Sequence, residues 1–337
     1  MQQKMGLTLR IAAAMCLLAC SAGSVFAQAE GELTAKAKLF PGIGPGLRAV
    51  KRGSDGRTYV LASPSPGLVV FDAKDKQVLA VAASPVAGKG KSSAIVFGED
   101  CDVDTEGHIY VADRGTNAVE VLWPDGTLMR SIPVPAPLSV AAIGEGEVAV
   151  ATLHEPHLVI VFDRNGRDVR EFGDPEQISD REDLNRFLNI GQVVTDAQNH
   201  VYYAFAYTPE PTVRQYDRYG FGAGQDVQYT ALEAAPEAQA VRREILRQEK
   251  HQKAPAFKRV LTAVGIDRAK GEVWMAVGDT LLRFDKEGNR RASYQLYTPE
   301  GARLEASIIL IEPDRLLIGS DPLGIYEFDR PDKKNQP

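Results

Sequence analysis

Asp104-Thr105-Glu106-Gly107-His108-Ile109-Tyr110-Val111-Ala112-Asp113 is a tight turn running straight into a β-rich stretch, and its outline recurs along the chain. Gly107 supplies the positive φ that a short hairpin turn requires. The same turn-then-strand unit is found at Asp55-Gly56-Arg57-Thr58-Tyr59-Val60, Glu145-Gly146-Glu147-Val148-Ala149-Val150, Gln198-Asn199-His200-Val201-Tyr202-Tyr203 and Lys270-Gly271-Glu272-Val273-Trp274-Met275. A weaker sixth copy is Pro313-Asp314-Arg315-Leu316-Leu317-Ile318.

A second element trails each turn by 13 to 17 residues: Phe71-Asp72, Trp123-Pro124-Asp125-Gly126, Phe162-Asp163-Arg164-Asn165-Gly166, Tyr216-Asp217-Arg218-Tyr219-Gly220, Phe284-Asp285-Lys286-Glu287-Gly288 and Phe328-Asp329. Each aromatic ends a third strand and packs between neighbouring sheets, while Asp and Gly close the next hairpin. One such four-stranded unit is too small to bury both of its faces. Six of them stacked around an axis solve the problem, which predicts an all-β, six-bladed β-propeller. The sixth unit stops after its third strand, and the extended segment Leu33 to Phe40 precedes the first. This N-terminal strand is expected to complete blade six and close the ring.

The run Asp104 to Asp113, with Asn117, Val119 and Val121 after it, resembles an NHL repeat, most closely in the second unit. The resemblance implies a six-bladed propeller. Propellers of this type include lyases, lactonases and ligand- or protein-binding modules, so it implies no single activity.

Composition agrees with a folded domain. At 337 residues, 44% hydrophobic and 25% charged, the chain excludes disorder, collagen and a polytopic membrane protein. Lys4 and Arg10, the apolar run Ile11 to Ala19 and the small-residue end Val25-Phe26-Ala27 read as a secretory signal over 1–27, leaving 28–337 as one propeller domain. Leu17-Leu18-Ala19-Cys20 resembles a bacterial lipoprotein box, so Cys20 is a candidate for lipidation; a retained anchor helix is the other alternative. The expected location is extracytoplasmic, periplasmic or secreted. Removing the leader takes away two bases and no acid from a chain of formal charge −6, which disfavours nucleic acid and anionic lipid as partners. Membrane contact then depends on the leader or on lipidation alone. Cys101 alternates with acids in Asp100-Cys101-Asp102-Val103-Asp104 and reads as a small buried hydrophobe.

Two insertions break the repeat, near 179–189 and 236–252. Ser179-Asp180-Arg181-Glu182 has capping-box spacing before Leu184, Phe187 and Leu188, and a longer helix follows Pro236 with Val241, Ile245 and Leu246 on one face. Both link the fourth strand of one blade to the first of the next. They therefore lie on the channel-mouth face, as a lid or as a patch on the outer wall.

The spacing Glu99 to Asp104 to Gly107 resembles the first metal-glutamate motif of the gluconolactonase family. The equivalent positions in other units are Leu138, Gly191 and Ala263, which cannot ligate through a side chain. In a zinc-dependent NHL lyase, histidines at strand starts hold the metal. Here His108 and His200 follow the turn anchors on the opposite face, and only His154-Glu155-Pro156-His157 offers a chelating pair at the mouth. No Gly-x-Ser-x-Gly elbow, Cys-x-x-Cys, phosphate loop or His-Glu-x-x-His occurs. The expected function is a module that binds a protein or a small polar ligand at its channel mouth, without a cofactor. Its ligand-binding candidates are Arg48, Glu99, Asp113, Arg114, His154 and His157. The alternatives are a metal-assisted lyase or lactone hydrolase using a divalent metal, and a structural scaffold of an envelope complex.

Overall fold

The computed structural model describes residues 30–84, 95–153, 156–224, 226–228, 235–251 and 256–331. The leader 1–27 with Cys20, and the candidate His154, lie outside them. No helix among the described residues is long and apolar enough to cross a membrane.

Six antiparallel sheets follow one another around a ring, each with its first strand innermost. Blade one comprises Leu47–Arg52, Thr58–Ala62, Gly67–Phe71 and Gln77–Ala82, and blade two Gly98–Val103, Ile109–Asp113, Ala118–Leu122 and Leu128–Pro133. Blade three runs from Pro137–Ile143 to Asp168–Phe172, and blade four from Gly191–Thr195 to the two-residue strand Val227–Gln228. Blades five and six begin at Ala263–Asp267 and Ile308–Ile311. The six-bladed propeller legible in the repeats is the observed fold.

The N-terminal segment closes the ring in two steps. Ala37–Leu39 pairs antiparallel with Gly324–Asp329 as the expected fourth strand of blade six. The preceding Gly31–Thr34 instead lies parallel to Arg290–Tyr297 and adds a fifth strand to blade five. The strap thus bridges two blades, with Lys36 N–H donating to Glu327 O where it crosses.

Each blade is apolar on both faces, and the core is divided accordingly: one hydrophobic cluster fills each of the six blade interfaces. Leu61, Leu68, Ile109 and Leu122 lie between blades one and two, and Trp274, Leu281, Leu316 and Phe328 between five and six. Cys101 is fully buried with Val103 in the first of these, and burial pushes its thiol well above the ordinary range. Five of the six strand-three aromatics pack between blades as expected. Trp123 does not: it is 43% exposed, with its ring tilted at 58° to that of His108 and 5.3 Å from it between centroids.

Two kinds of carboxylate hold the turns. At the first hairpin of blade two, Asp104 accepts the N–H groups of Glu106 and His108, His108 Nδ1 lies 3.0 Å from Asp104 and Tyr110 donates its hydroxyl at 3.1 Å. Blade four repeats the arrangement with Asp196, His200 and Tyr202. Both histidines are thereby occupied as turn braces. At the second hairpins Asp72, Asp163, Asp217 and Asp285 each accept the backbone N–H groups two and four residues on, and Asp125 accepts the N–H and hydroxyl of Thr127.

These bonds favour the charged carboxylates. The N–H groups of Lys76 and Lys74 hold Asp72 below its ordinary value, that of Arg167 does so for Asp163, and the Thr127 hydroxyl and N–H for Asp125. A carboxylate depressed in the folded state contributes stability that is complete above the unfolded-state range near about 4 and is lost as pH falls through the folded value. Urea midpoints are therefore expected to hold from neutrality to about pH 5 and to fall below about pH 4. A flat profile down to pH 2.5 would show that these turns contribute no more than the buried Asp100 and Glu120 carboxyls, which burial pushes up, offset in the opposite direction.

Candidate functional site

The innermost strands carry side chains that fasten blade to blade around the channel. Lys51 Nζ of blade one lies 3.9 Å from Asp100 of blade two. Asp100 accepts the hydroxyl of Ser139 at 2.5 Å and the N–H of Val140 at 3.2 Å from blade three, and Asp102 accepts the N–H of Ala142 at 2.9 Å. Ser139 Oγ in turn accepts Val193 N–H from blade four, and Thr195 donates back to Ala142 O. Beyond these, Arg330 donates to Asp267 of blade five at 2.8 Å and to Glu312 O of blade six, while Arg52 of blade one pairs with Glu312. Most channel charges are therefore ring fasteners.

Inside this belt lies a cavity of about 620 Å³. It runs from Arg48, Gln192 and Ile308 near the strand starts to the first-hairpin turns at Ser54, Glu106, Glu145 and Lys270. Those four turn residues are exposed, so the cavity reaches solvent on the hairpin face. Val194, Val264, Ile266, Ile309 and Ile311 provide apolar wall from blades four, five and six, and Lys51, Asp100 and Asp102 provide charge from blades one and two. The lining is mixed, aliphatic on one side and rich in charged side chains elsewhere, and a concave site of this size is the usual seat of a small ligand.

One ammonium and two carboxylates share the charged wall. Burial works against the charge of Lys51, but Asp100 and Asp102 outweigh it and hold the amine above its ordinary value. Burial pushes the Asp100 carboxyl up, against the pull of Lys51 and Ser139. Across the ring on blade five, Arg268 also lines the cavity and has no ion pair among the described residues. The alternation of Asp100-Cys101-Asp102-Val103, read for the burial of Cys101 and Val103, sets Asp100 and Asp102 on the other side of the strand. Their partners come from other repeats, and no local spacing links them.

The candidates expected at the opposite, loop face separate into three groups. Arg48 and Arg114 converge on Glu99 at 3.6 and 3.0 Å, and both guanidiniums lie over the Phe97 ring, at 5.4 and 5.2 Å. Asp113 is fully buried and accepts the N–H groups of Val96, Phe97, Gly115 and Thr116, so both its oxygens serve the loop. His157 sits beside the outer strand of blade three, 4.0 Å from Glu171 and 3.8 Å from Asp174. Among the described residues no three His, Cys, Asp or Glu side chains come together as a metal centre would need.

The two insertions form one unit on this face. Helix Glu182–Leu188 packs Leu184 and Leu188 against Ala238, Val241 and Ile245 of helix Pro236–His251, with Val260 completing a seventh hydrophobic cluster. Leu246, expected on the apolar face, is 57% exposed. The capping box does not form either. Arg181 is the N-cap residue, with no side-chain cap, and Ser179 Oγ donates to Glu249 at 2.8 Å, joining the two insertions.

No family model matches this sequence. No curated protein matches it either. Among solved structures it is similar to a streptogramin B lyase, with 12% identity and a TM-score of 0.53 over 89% of this chain and 86% of that one. It is also similar to virginiamycin B lyase from Staphylococcus aureus, at 9% identity and a TM-score of 0.51 over 88% and 87% of the two chains. A calcium-binding regucalcin from Agrobacterium tumefaciens gives 11% identity and a TM-score of 0.55 over 89% and 95%. Likeness at this identity establishes the propeller fold and nothing finer.

Proposed function

We propose that the protein is an exported, NHL-like propeller that binds a small ligand in its central channel, entering from the hairpin face, and performs no chemistry of its own. The observation that carries the reading is the cavity of about 620 Å³, walled by aliphatic side chains on one side and by Lys51, Asp100 and Asp102 on the other. The lyase or lactone-hydrolase alternative calls on Glu99, Asp113 and His157, whose partners are respectively two arginines, loop N–H groups, and the outer strand of blade three. That division favours binding over catalysis. The extracytoplasmic location rests on the leader 1–27 and is tested by fractionating cells that express the tagged full chain.

Val194 is half-buried and lines the cavity at the edge of the hydrophobic cluster between blades four and five, so Val194→Trp is expected to fill the cavity. A thermal screen of small polar metabolites should give compounds that raise the wild-type midpoint in proportion to the logarithm of their concentration. The variant should lose those shifts while unfolding near the wild-type temperature. Shifts of equal size in Val194→Trp would place the binding elsewhere.

A further inference from the structure

At the loop face, opposite the hairpin mouth of the cavity, the innermost strands of blades one and two each present a charged side chain from a break in their pairing. Arg48 is the extra residue of a β-bulge, since Leu47 pairs with Ala62 and Ala49 with Leu61. Glu99 holds the same place in blade two, between the pairs Gly98 with Asp113 and Asp100 with Ala112. Blade three repeats the bulge with the apolar Leu138, and in blades four to six the first two strands pair without interruption. Bulges re-aim side chains and concentrate beside functional sites.

The charges brought together here do not balance. Arg48 lies 3.6 Å from Glu99, too far for a hydrogen bond, and its Nε is buried with no acceptor. Arg114 reaches the other Glu99 oxygen at 3.0 Å, and its side chain is 48% exposed. Two guanidiniums thus share one carboxylate. Asp113, beside Arg114 in sequence, spends both oxygens on loop N–H groups. The Phe97 ring takes a flat face of each guanidinium, at 5.4 and 5.2 Å, which fixes their planes and leaves hydrogen bonding to their N–H edges.

We propose that Arg48 and Arg114 form an anion clamp that takes the carboxylate of a small organic acid. One excess positive charge calls for one negative charge, and the planar fork of a guanidinium matches a carboxylate through two parallel hydrogen bonds. A dianion such as sulfate brings one charge more than the cluster balances. The clamp is a second site: Arg48 marks the strand-start end of the cavity, whereas the channel ligand enters past the hairpins at the other end.

The test reads the arginine Nε–H signals of the isotope-labelled, folded chain by NMR while sodium acetate replaces sodium chloride at constant ionic strength. Loss of one signal in Arg48→Gln and of another in Arg114→Gln assigns the two. Both are expected to move along saturating curves with acetate and to stay still with acetamide, the neutral analogue of the same shape. In either variant the signal of the remaining arginine should report binding at least about fivefold weaker, since a hydrogen bond to a charged group is worth that much. Both side chains are partly exposed, and unmoved signals from the other arginines show that each variant keeps its fold. Signals that do not move, that move without saturating, or that respond equally to acetamide overturn the proposal. Sulfate binding more tightly than acetate overturns the carboxylate assignment. Val194→Trp should leave the acetate curves unchanged. Their loss would place the anion inside the channel and overturn the second site, whereas failure of the clamp in wild type leaves channel binding standing.

Discussion

Replacing Arg330 with methionine is expected to lower the free energy of unfolding by about 3–5 kcal/mol, read from the urea midpoint at constant slope. Arg330 and Asp267 are 4% and 5% exposed, and their 2.8 Å contact joins the end of blade six to blade five. Removing the guanidinium leaves the carboxylate buried, with the N–H groups of Ala269 and Lys270 on its other oxygen, and it also takes the Arg330 donor from Glu312 O. An uncompensated buried charge costs more than the intact pair contributes, so the double variant Asp267→Asn, Arg330→Met should recover part of the loss. A single variant within about 0.5 kcal/mol of wild type would show that the pair does not fasten the ring.

The second large effect is expected at Asp113. Its carboxylate accepts four N–H groups, from Val96 at 2.5 Å, Phe97 at 2.8 Å, Gly115 at 2.8 Å and Thr116 at 3.3 Å, in a residue with no exposed surface. Asp113→Ala orphans all four. Because water can reach some of them once the carboxylate is gone, a loss of about 3 kcal/mol is expected, not the sum of four full penalties. The loop carries Phe97, on which Arg48 and Arg114 rest, so the Glu99 cluster should loosen with it. An Asp113→Ala protein of wild-type stability would return this residue to the ligand-binding candidates. It would also remove the structural role assigned to it here.

What could be read from the sequence divides along the range of the interactions. Turn chemistry is local, so Gly107, Gly146 and Gly271 with their flanking strands announced six blades, and all six formed. The two helices were announced by their own periodicity at 179–189 and 236–252 and formed at Glu182–Leu188 and Pro236–His251. The capping box failed because Ser179 had a tertiary partner, Glu249, seventy residues away. The N-terminal strand was recognisable as a closing strand, but its first half crosses to blade five, a choice made by the free edge of Arg290–Tyr297 and invisible in the segment itself.

The site was less legible for the same reason. Arg48, Glu99 and Arg114 meet as their placement at one end of neighbouring blades required. Asp113, in the best-preserved repeat, looked functional and is a loop brace. The channel wall is built from one or two residues of each repeat, such as Lys51, Asp102, Arg268 and Arg330, and depends on which repeat stands opposite which. Once the ring closes with six blades that correspondence is fixed, so Arg330 and Asp267 become a pair only in three dimensions.

The claim that ligand enters the channel from the hairpin face is tested most directly by amide hydrogen exchange, with and without a compound that raises the midpoint. The account predicts slowed exchange at the first-hairpin turns lining the cavity, around Ser54, Thr105, Glu145 and Ala269, with the loop face unchanged. Protection confined to the segments carrying Arg48, Glu99 and Arg114, or to the two packed helices, would contradict it.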